Sequence, residues 1–293
     1  MSGFEKFHPI VLFLYYVCVI LFTMFSTQPV ILLCTLFGAI LFFSMLHPAH
    51  IVARSLVFYF FLFLLVAITN PLFSHNGETI LFFMNDNPVT MEAIIFGGAI
   101  AVMIVGVMFW CKCLNVIMTS DKFLYLFGKT IPKLSLVLSM ALRFIPLFKV
   151  QIKKINQAQK AMGLYARDSM FDKMGSSMRV FDSLLSWSLE NSIETADAMK
   201  ARGYGLPGRK NFSLFRFRKA DGILMTAIGI MALFIGGSYL AGRFDFSYYP
   251  VISGIGTKIG DILGYGIVLL FMILPGLLEL KEKIKWKYLR SKI

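Results

Sequence analysis

The sequence predicts an all-α, polytopic membrane protein, and three observations carry that prediction. Hydrophobic residues make up 57 % of the chain and mean hydropathy is +0.73. Charged residues make up 15 %, fewer than an ordinary soluble domain carries. Six segments approach the ~20 apolar residues that a spanning helix needs. They are residues 9–25, 29–46, 55–69, 93–110, 222–241 and 262–278. The first is followed by nothing like a small-residue cleavage site, so it is expected to stay as a membrane helix. The third is short and is expected to stand with little tilt.

Charge orients the bundle. Most of the 29 Lys and Arg residues lie in residues 111–219, and a second group fills 281–293. The 70–91 loop holds only Glu78 and Asp86, and the 242–261 loop has just Arg243 and Lys258 as cations. Positive-inside weighting therefore puts both termini, the turn at 46–54 and the central segment on the cytoplasmic side. Six spans with both ends inside is a consistent count. The net charge of +13 is thus topological. A nucleic-acid partner would need a basic face with base-reading or stacking elements, and none is expected.

Several function classes fall away. Cys18 and Cys34 lie within spans, and Cys111 and Cys113 flank Lys112 at a cytoplasmic boundary where thiols stay reduced. Two cysteines at that spacing make a poor metal clip. His8, His47, His50 and His75 are scattered, with only His47 and His50 close together, and they read as interfacial residues. The spans as drawn contain no Asp, Glu, Lys, Arg or His. Ion-coupled transporters and intramembrane hydrolases depend on such groups. The chain alone is therefore not expected to move a charged substrate or to catalyse a reaction. Two nucleotide motifs fail on context. Gly128-Lys129-Thr130 lacks the glycine that a phosphate loop needs where Phe123 stands. Gly203-Tyr204-Gly205-Leu206-Pro207-Gly208 follows a helix, not a strand.

The central segment, residues 111–219, is too long to be a structureless loop. Residues 134–147 are apolar nearly all round, with Pro146 expected to kink the helix. Beyond Phe148, Ile152, Ile155, Gln159 and Met162 share one face and Lys149, Lys153 and Lys160 another. A second helix is expected over about 175–202. Met178, Phe181, Leu185, Leu189, Ile193, Ala196 and Met199 make its apolar stripe, and Asp182, Glu190, Glu194 and Asp197 lie on a different side. The plain reading of each charged face is solvated surface. The sharper one pairs Lys149, Lys153 or Lys160 with Glu190, Glu194 or Asp197, in competition with anionic headgroups for the lysines.

These residues carry a resemblance. Leu142-Arg143-Phe144-Ile145-Pro146 opens the first helix, Ala198-Met199-Lys200-Ala201-Arg202-Gly203 closes the second, and His8-Pro9 starts the first span. On these the chain resembles the transmembrane T subunit of energy-coupling factor (ECF) transporters, the EcfT/CbiQ family. The resemblance implies a non-catalytic subunit of the bacterial-type cell membrane, without a cofactor of its own. It implies two ABC-type ATPases as partners, and a separate substrate-binding S subunit for a vitamin or a transition metal. In that family two cytoplasmic coupling helices cross in an X, and each ends in an Ala-Arg-Gly signature that docks on one ATPase. Ala201-Arg202-Gly203 matches the second signature. The first falls at Ala161-Met162-Gly163, where Met replaces Arg, with Lys160 and Arg167 as the neighbouring cations. Arg143, Pro146 and Lys160 are expected to support the first coupling helix.

Physical chemistry agrees at Arg202. A helix C-terminus carries partial negative charge, and Gly203 can take the left-handed cap conformation. A capping charge alone would explain an isolated arginine; the Ala-Arg-Gly context and the glycines behind it favour docking. Gly256, Gly260 and Gly264 form a ridge expected to pack inside the bundle, with a seat for another membrane subunit as the sharper reading. The organisation expected is membrane helices over 1–110, a coupling region over 111–219, membrane helices over 220–280 and a basic tail over 281–293. Two other classes compete with a transport subunit: a membrane scaffold or anchor, and a membrane enzyme with chemistry at its cytosolic face. The enzyme would need an acid–base or nucleophile–histidine pair, which the sequence does not offer.

Overall fold

The computed structural model describes residues 3–74, 77–84, 87–128, 131–163, 170–206, 215–254, 256 and 258–290. The chain is almost wholly helical. In order it forms α1 (Pro9–Phe25), α2 (Pro29–Leu46), α3 (Ala49–Phe73), a hairpin of β1 (Ile80–Met84) and β2 (Asn87–Thr90), then α4 (Met91–Ile117) and α5 (Ser120–Gly128). It continues with α6 (Pro132–Ala161), α7 (Met170–Ala201), α8 (Lys219–Leu240) and α9 (Ile259–Arg290). Two compact units result, one of Met1–Lys122 with Phe215–Ile293 and one of Phe123–Leu214.

In the first unit α2 packs between α4 and α9, and α3 packs mainly on α4. Lipid is as apolar as a leucine side chain, so close packing rather than water exclusion has to hold such helices together. Two glycines make that packing possible. A Cβ on Gly38 would stand 2.9 Å from the Met272 carbonyl oxygen of α9, and one on Gly97 would stand 2.7 Å from the Ala67 carbonyl oxygen of α3. The centre is aromatic: Phe4, Tyr15, Tyr16, Phe42, Trp110 and Phe271 are all fully buried or nearly so. Phe4, from a short 3-10 turn at Phe4–Lys6, sits edge-on to Tyr15 and Phe42 at 5.6 and 5.9 Å. Tyr15 satisfies its hydroxyl by donating to the Phe271 carbonyl at 3.1 Å.

Among the described residues, six helices are long and apolar enough to cross a membrane: α2, α3, α4, α8, α9 and, from Lys133, α6. The apolar α1 has 17 residues and falls just short of those six in length. The expected set is therefore met at five places, while α6 adds a candidate that the sequence placed in the coupling region. The third span is not short. α3 has 25 residues and runs on through His50 and Arg54. Polar ends can reach the headgroups, so an apolar window closes before its helix does. For the same reason the helices are less free of charge than the windows were. Glu92 opens α4, and Lys112 near its end donates to Ser55 Oγ at 3.1 Å and lies 4.6 Å from the Tyr59 ring. The basic residues beyond Leu280 continue α9 as far as Arg290.

The hairpin between α3 and α4 was not anticipated. Gly264 of the glycine ridge faces Phe244, whose ring carbon lies 3.0 Å from where a Cβ would stand. That is internal packing.

Candidate functional site

In the second unit α6 and α7 pack together and run antiparallel. Phe148 of α6 meets Trp187 of α7 edge-on, centroids 5.8 Å apart. Moving back along α6, Leu136, Met140 and Phe144 face Ser192, Thr195, Ala196 and Met199 of α7, with Tyr204 beyond, around a cavity of about 320 Å³. α6 runs unbroken through Pro146, because an internal proline costs one backbone hydrogen bond and neighbouring turns keep theirs.

Both helices end by the same device. At α7, Gly203 has φ +77° and donates its N–H to Lys200 O at 2.9 Å, while Tyr204 N–H reaches back to Met199 O at 3.0 Å. That pair of bonds is a Schellman motif with Arg202 as the C-cap. At α6, Gly163 has φ +71° and donates to Lys160 O at 3.0 Å, with Met162 as the C-cap. Any L side chain at either position would be strained, because the backbone there is left-handed. Met162 thus occupies, on its helix, the position that Arg202 occupies on the other.

Ala161, Met162, Gly163, Ala201 and Arg202 are exposed and Gly203 is half-buried, with Met162 66 % exposed. Arg143, Pro146 and Lys160 are exposed as well. The two tips are not brought together. About 20 Å of helix separates Phe148 from Ala161, and a similar length separates Trp187 from Ala201, in opposite directions. Arg167, Pro207 and Gly208 lie outside the described residues, as do Lys129, Thr130, His75 and Asp86.

Two sequence expectations for this pair change. Lys149, Lys153 and Lys160 form no ion pair with Glu190, Glu194 or Asp197 among the described residues. The acidic side is served within its own helix, where Lys200 lies 3.9 Å from Asp197 on an exposed face. Aromatic packing at Phe148 and Trp187 holds the helices instead, and an exposed charge pair would have added only about 0–1 kcal/mol. Of the apolar stripe of α7, Ala196 and Met199 face α6 across the cavity, and the rest stays open. Met178, Phe181, Leu185, Leu189 and Ile193 remain 45–65 % exposed. The second helix begins at Met170, earlier than the stripe suggested.

Sequence reasoning missed a polar clasp at one end of the first unit. Gly3 N–H donates to Glu279 Oε2 at 2.6 Å, and Lys6 pairs with Glu282. His8 N–H donates to Asp221 Oδ1 at 2.9 Å, and Arg218 N–H to Asp221 Oδ2 at 2.7 Å. Asp221 therefore caps α8 and holds the start of α1 together. Lys122 is buried, and its ammonium donates to Glu5 O at 2.9 Å and Ile117 O at 2.8 Å. Burial pulls the Lys122 ammonium below the ordinary lysine value, and the nearby Glu5 carboxylate opposes part of that. Three of its contacts, Gly3–Glu279, Lys6–Glu282 and His8–Asp221, join residues more than two hundred positions apart, so no local pattern could have announced them.

The described residues hold no cluster of three or more His, Cys, Asp and Glu side chains that could bind a metal ion. A family model described as "Cobalt transport protein", CbiQ, matches residues 6–213. The Energy-coupling factor transporter transmembrane protein EcfT 1 of Listeria monocytogenes is 35 % identical over 106 residues, 36 % of this chain and 39 % of that protein. The EcfT protein of Listeria innocua is 34 % identical over 102 residues, 34 % of this chain and 38 % of its own length. That of Thermotoga maritima is 30 % identical over 119 residues, 39 % of this chain and 44 % of its own. The matched stretch thus spans less than half of each relative.

Proposed function

The chain belongs to the CbiQ family of cobalt transport proteins, and on that premise we propose that it is the transmembrane coupling subunit of an ECF-type ABC importer. In this reading it hydrolyses nothing itself. Two ABC-type ATPases dock on the tips of α6 and α7, and their closure and opening on ATP drive the helix pair. The motion passes to a separate substrate-binding S subunit in the membrane, which carries a vitamin or a transition-metal ion. The basic balance of residues 111–219 supports a cytosolic position for the helix pair, and both termini then lie on the same side.

One observation carries the reading: two helices of one antiparallel pair end in equivalent glycine-capped, exposed tips that face apart. A single docking protein needs one tip; a pair of related ATPases needs two. At the α7 tip Arg202 offers a planar, bidentate donor for a carboxylate. At the α6 tip Met162 offers a flexible apolar side chain suited to a groove. The exposed stripe from Met178 to Ile193 supplies further apolar surface for a partner. The cap geometry does not depend on either side chain, so both tips can be altered without unravelling their helices.

The test is recovery of the ATPases with the chain from native membranes. Arg202→Ala should cut recovery and uptake sharply while insertion stays normal. A cysteine at Met162 should crosslink to a copurified ATPase. Full recovery and uptake with Arg202→Ala would remove the docking role. A crosslink from position 202 and never from 162 would leave one tip unused. A membrane scaffold or a membrane enzyme need not bring an ATPase with it.

A further inference from the structure

The hairpin between α3 and α4 has a composition that fits neither a soluble loop nor a buried sheet. β1 and β2 form a two-stranded antiparallel sheet in which Phe82 pairs with Val89 and Phe83 with Pro88, and the register shifts between Ile80 and Phe82. Successive strand residues point to opposite faces, yet Ile80, Leu81, Phe82 and Phe83 are all apolar. All four are 52–67 % exposed. A strand with one wet face alternates apolar with polar; this one does not.

Its position explains which strand is outside. β2 packs on α3 and α4, and Val89 and Thr90 are buried. β1 is therefore the outer strand, with two apolar faces and one open edge. The base is fixed. Glu92, buried at the start of α4, accepts from Thr79 N–H at 3.3 Å and from Thr79 Oγ1 at 2.6 Å. Thr90 Oγ1 accepts from Ala93 N–H at 3.3 Å, and Asn70 Nδ2 donates to Ala93 O at 2.9 Å. The hairpin is thus tied to the facing ends of α3 and α4, two helices long and apolar enough to cross a membrane.

We propose that β1 is an interfacial membrane anchor, lying at the headgroup–acyl boundary with both faces against phospholipid. The two faces demand an apolar surround. The open edge forbids the hydrocarbon centre, where unpaired backbone N–H and C=O groups have no water to bond. Only the boundary meets both demands, because it offers acyl chains on one side and water and ester groups on the other. Pro88 on the partner strand removes one further backbone donor that would need satisfying. Such an anchor would fix the tilt and rotation of α3 and α4, which apolar length alone leaves unset.

The test uses nitroxide labels on single cysteines at 78, 81, 82 and 83 of the full chain, reconstituted in phosphatidylcholine vesicles and, separately, in the copurified complex. Protein without an added cysteine sets the background from the native thiols. Relaxation by oxygen, which concentrates in lipid, is compared with relaxation by a water-soluble nickel chelate. Labels at 81, 82 and 83 should favour oxygen several-fold and without alternation, in both samples, while the label at 78 favours nickel. Nickel preference at 81–83 would place the hairpin in water and overturn the proposal. Low access to both reagents would mean protein covers it and would equally overturn it. None of these outcomes bears on docking at the α6 and α7 tips.

Discussion

Gly97 and Gly98 stand side by side in α4 and offer a controlled measurement of how tightly the membrane helices meet. Replacing either by Ala gains helix propensity, up to about 1 kcal/mol each on soluble scales. That gain cancels in the comparison. What remains is space. A Cβ at Gly98 meets nothing within 4 Å, whereas one at Gly97 meets Ala67 O at 2.7 Å, Asn70 Cβ at 3.0 Å and Pro71 Cδ at 3.4 Å. The nearest atom is a backbone oxygen, which cannot swing aside, so α3 and α4 must separate or shift. Overpacking of this kind costs about 1–3 kcal/mol, and Gly97→Ala should be less stable than Gly98→Ala by that amount. For a chain of this size the difference corresponds to a separation of roughly 2–5 °C in apparent melting temperature. Dye-reported melting of the two purified variants in the same detergent reads it directly. Indistinguishable melting, or a lower value for Gly98→Ala, would refute the close crossing of α3 and α4.

Three other perturbations test the clasp and the helix pair. Lys122→Ala leaves the carbonyls of Glu5 and Ile117 without their donor and should destabilise the chain by about 1–3 kcal/mol, read as lowered melting; unchanged melting would count against the clasp. Trp187→Ala should loosen α6 on α7, losing about 0.5–1.5 kcal/mol of ring–ring interaction beyond area, and amide exchange along residues 136–148 should speed up. Reversing Lys153 and then Glu194 as well should show no rescue of one change by the other, and a clear rescue would restore the ion-pair account of the crossing.

What the sequence revealed and what it hid divides along physical lines. Spans are a matter of composition over about 20 residues, and α2, α4, α8 and α9 lay where hydropathy put them. The helix ends did not, because Arg54 belongs to α3 and Glu92 and Lys112 to α4, beyond the apolar windows. The glycine after each tip was legible because a left-handed cap has a strong residue preference. The chain order Ala161-Met162-Gly163 then mapped onto the same geometry as Ala201-Arg202-Gly203. The hairpin has a signal in the sequence, where Asn85, Asp86 and Asn87, residue types that favour turns, follow an apolar run. It read poorly because β1 lacks the alternation by which half-buried strands are recognised.

The α6–α7 crossing shows why opposite charges on neighbouring helices mislead. Lysines on one face and carboxylates on another say that both faces are wet, and wet faces need no partner. The contact is set by the side chains that cannot tolerate water alone, here Phe148 and Trp187. Yet the apolar stripe of α7 from Met178 to Ile193, which has the helical spacing of a buried face, is left open. A helix pair that buries its aromatic crossing and exposes five large apolar residues has spent its packing on fixing the pair and left the rest of the surface to something outside the chain. The argument for a partner is therefore stronger from the stripe that stayed exposed than from the charges that stayed unpaired.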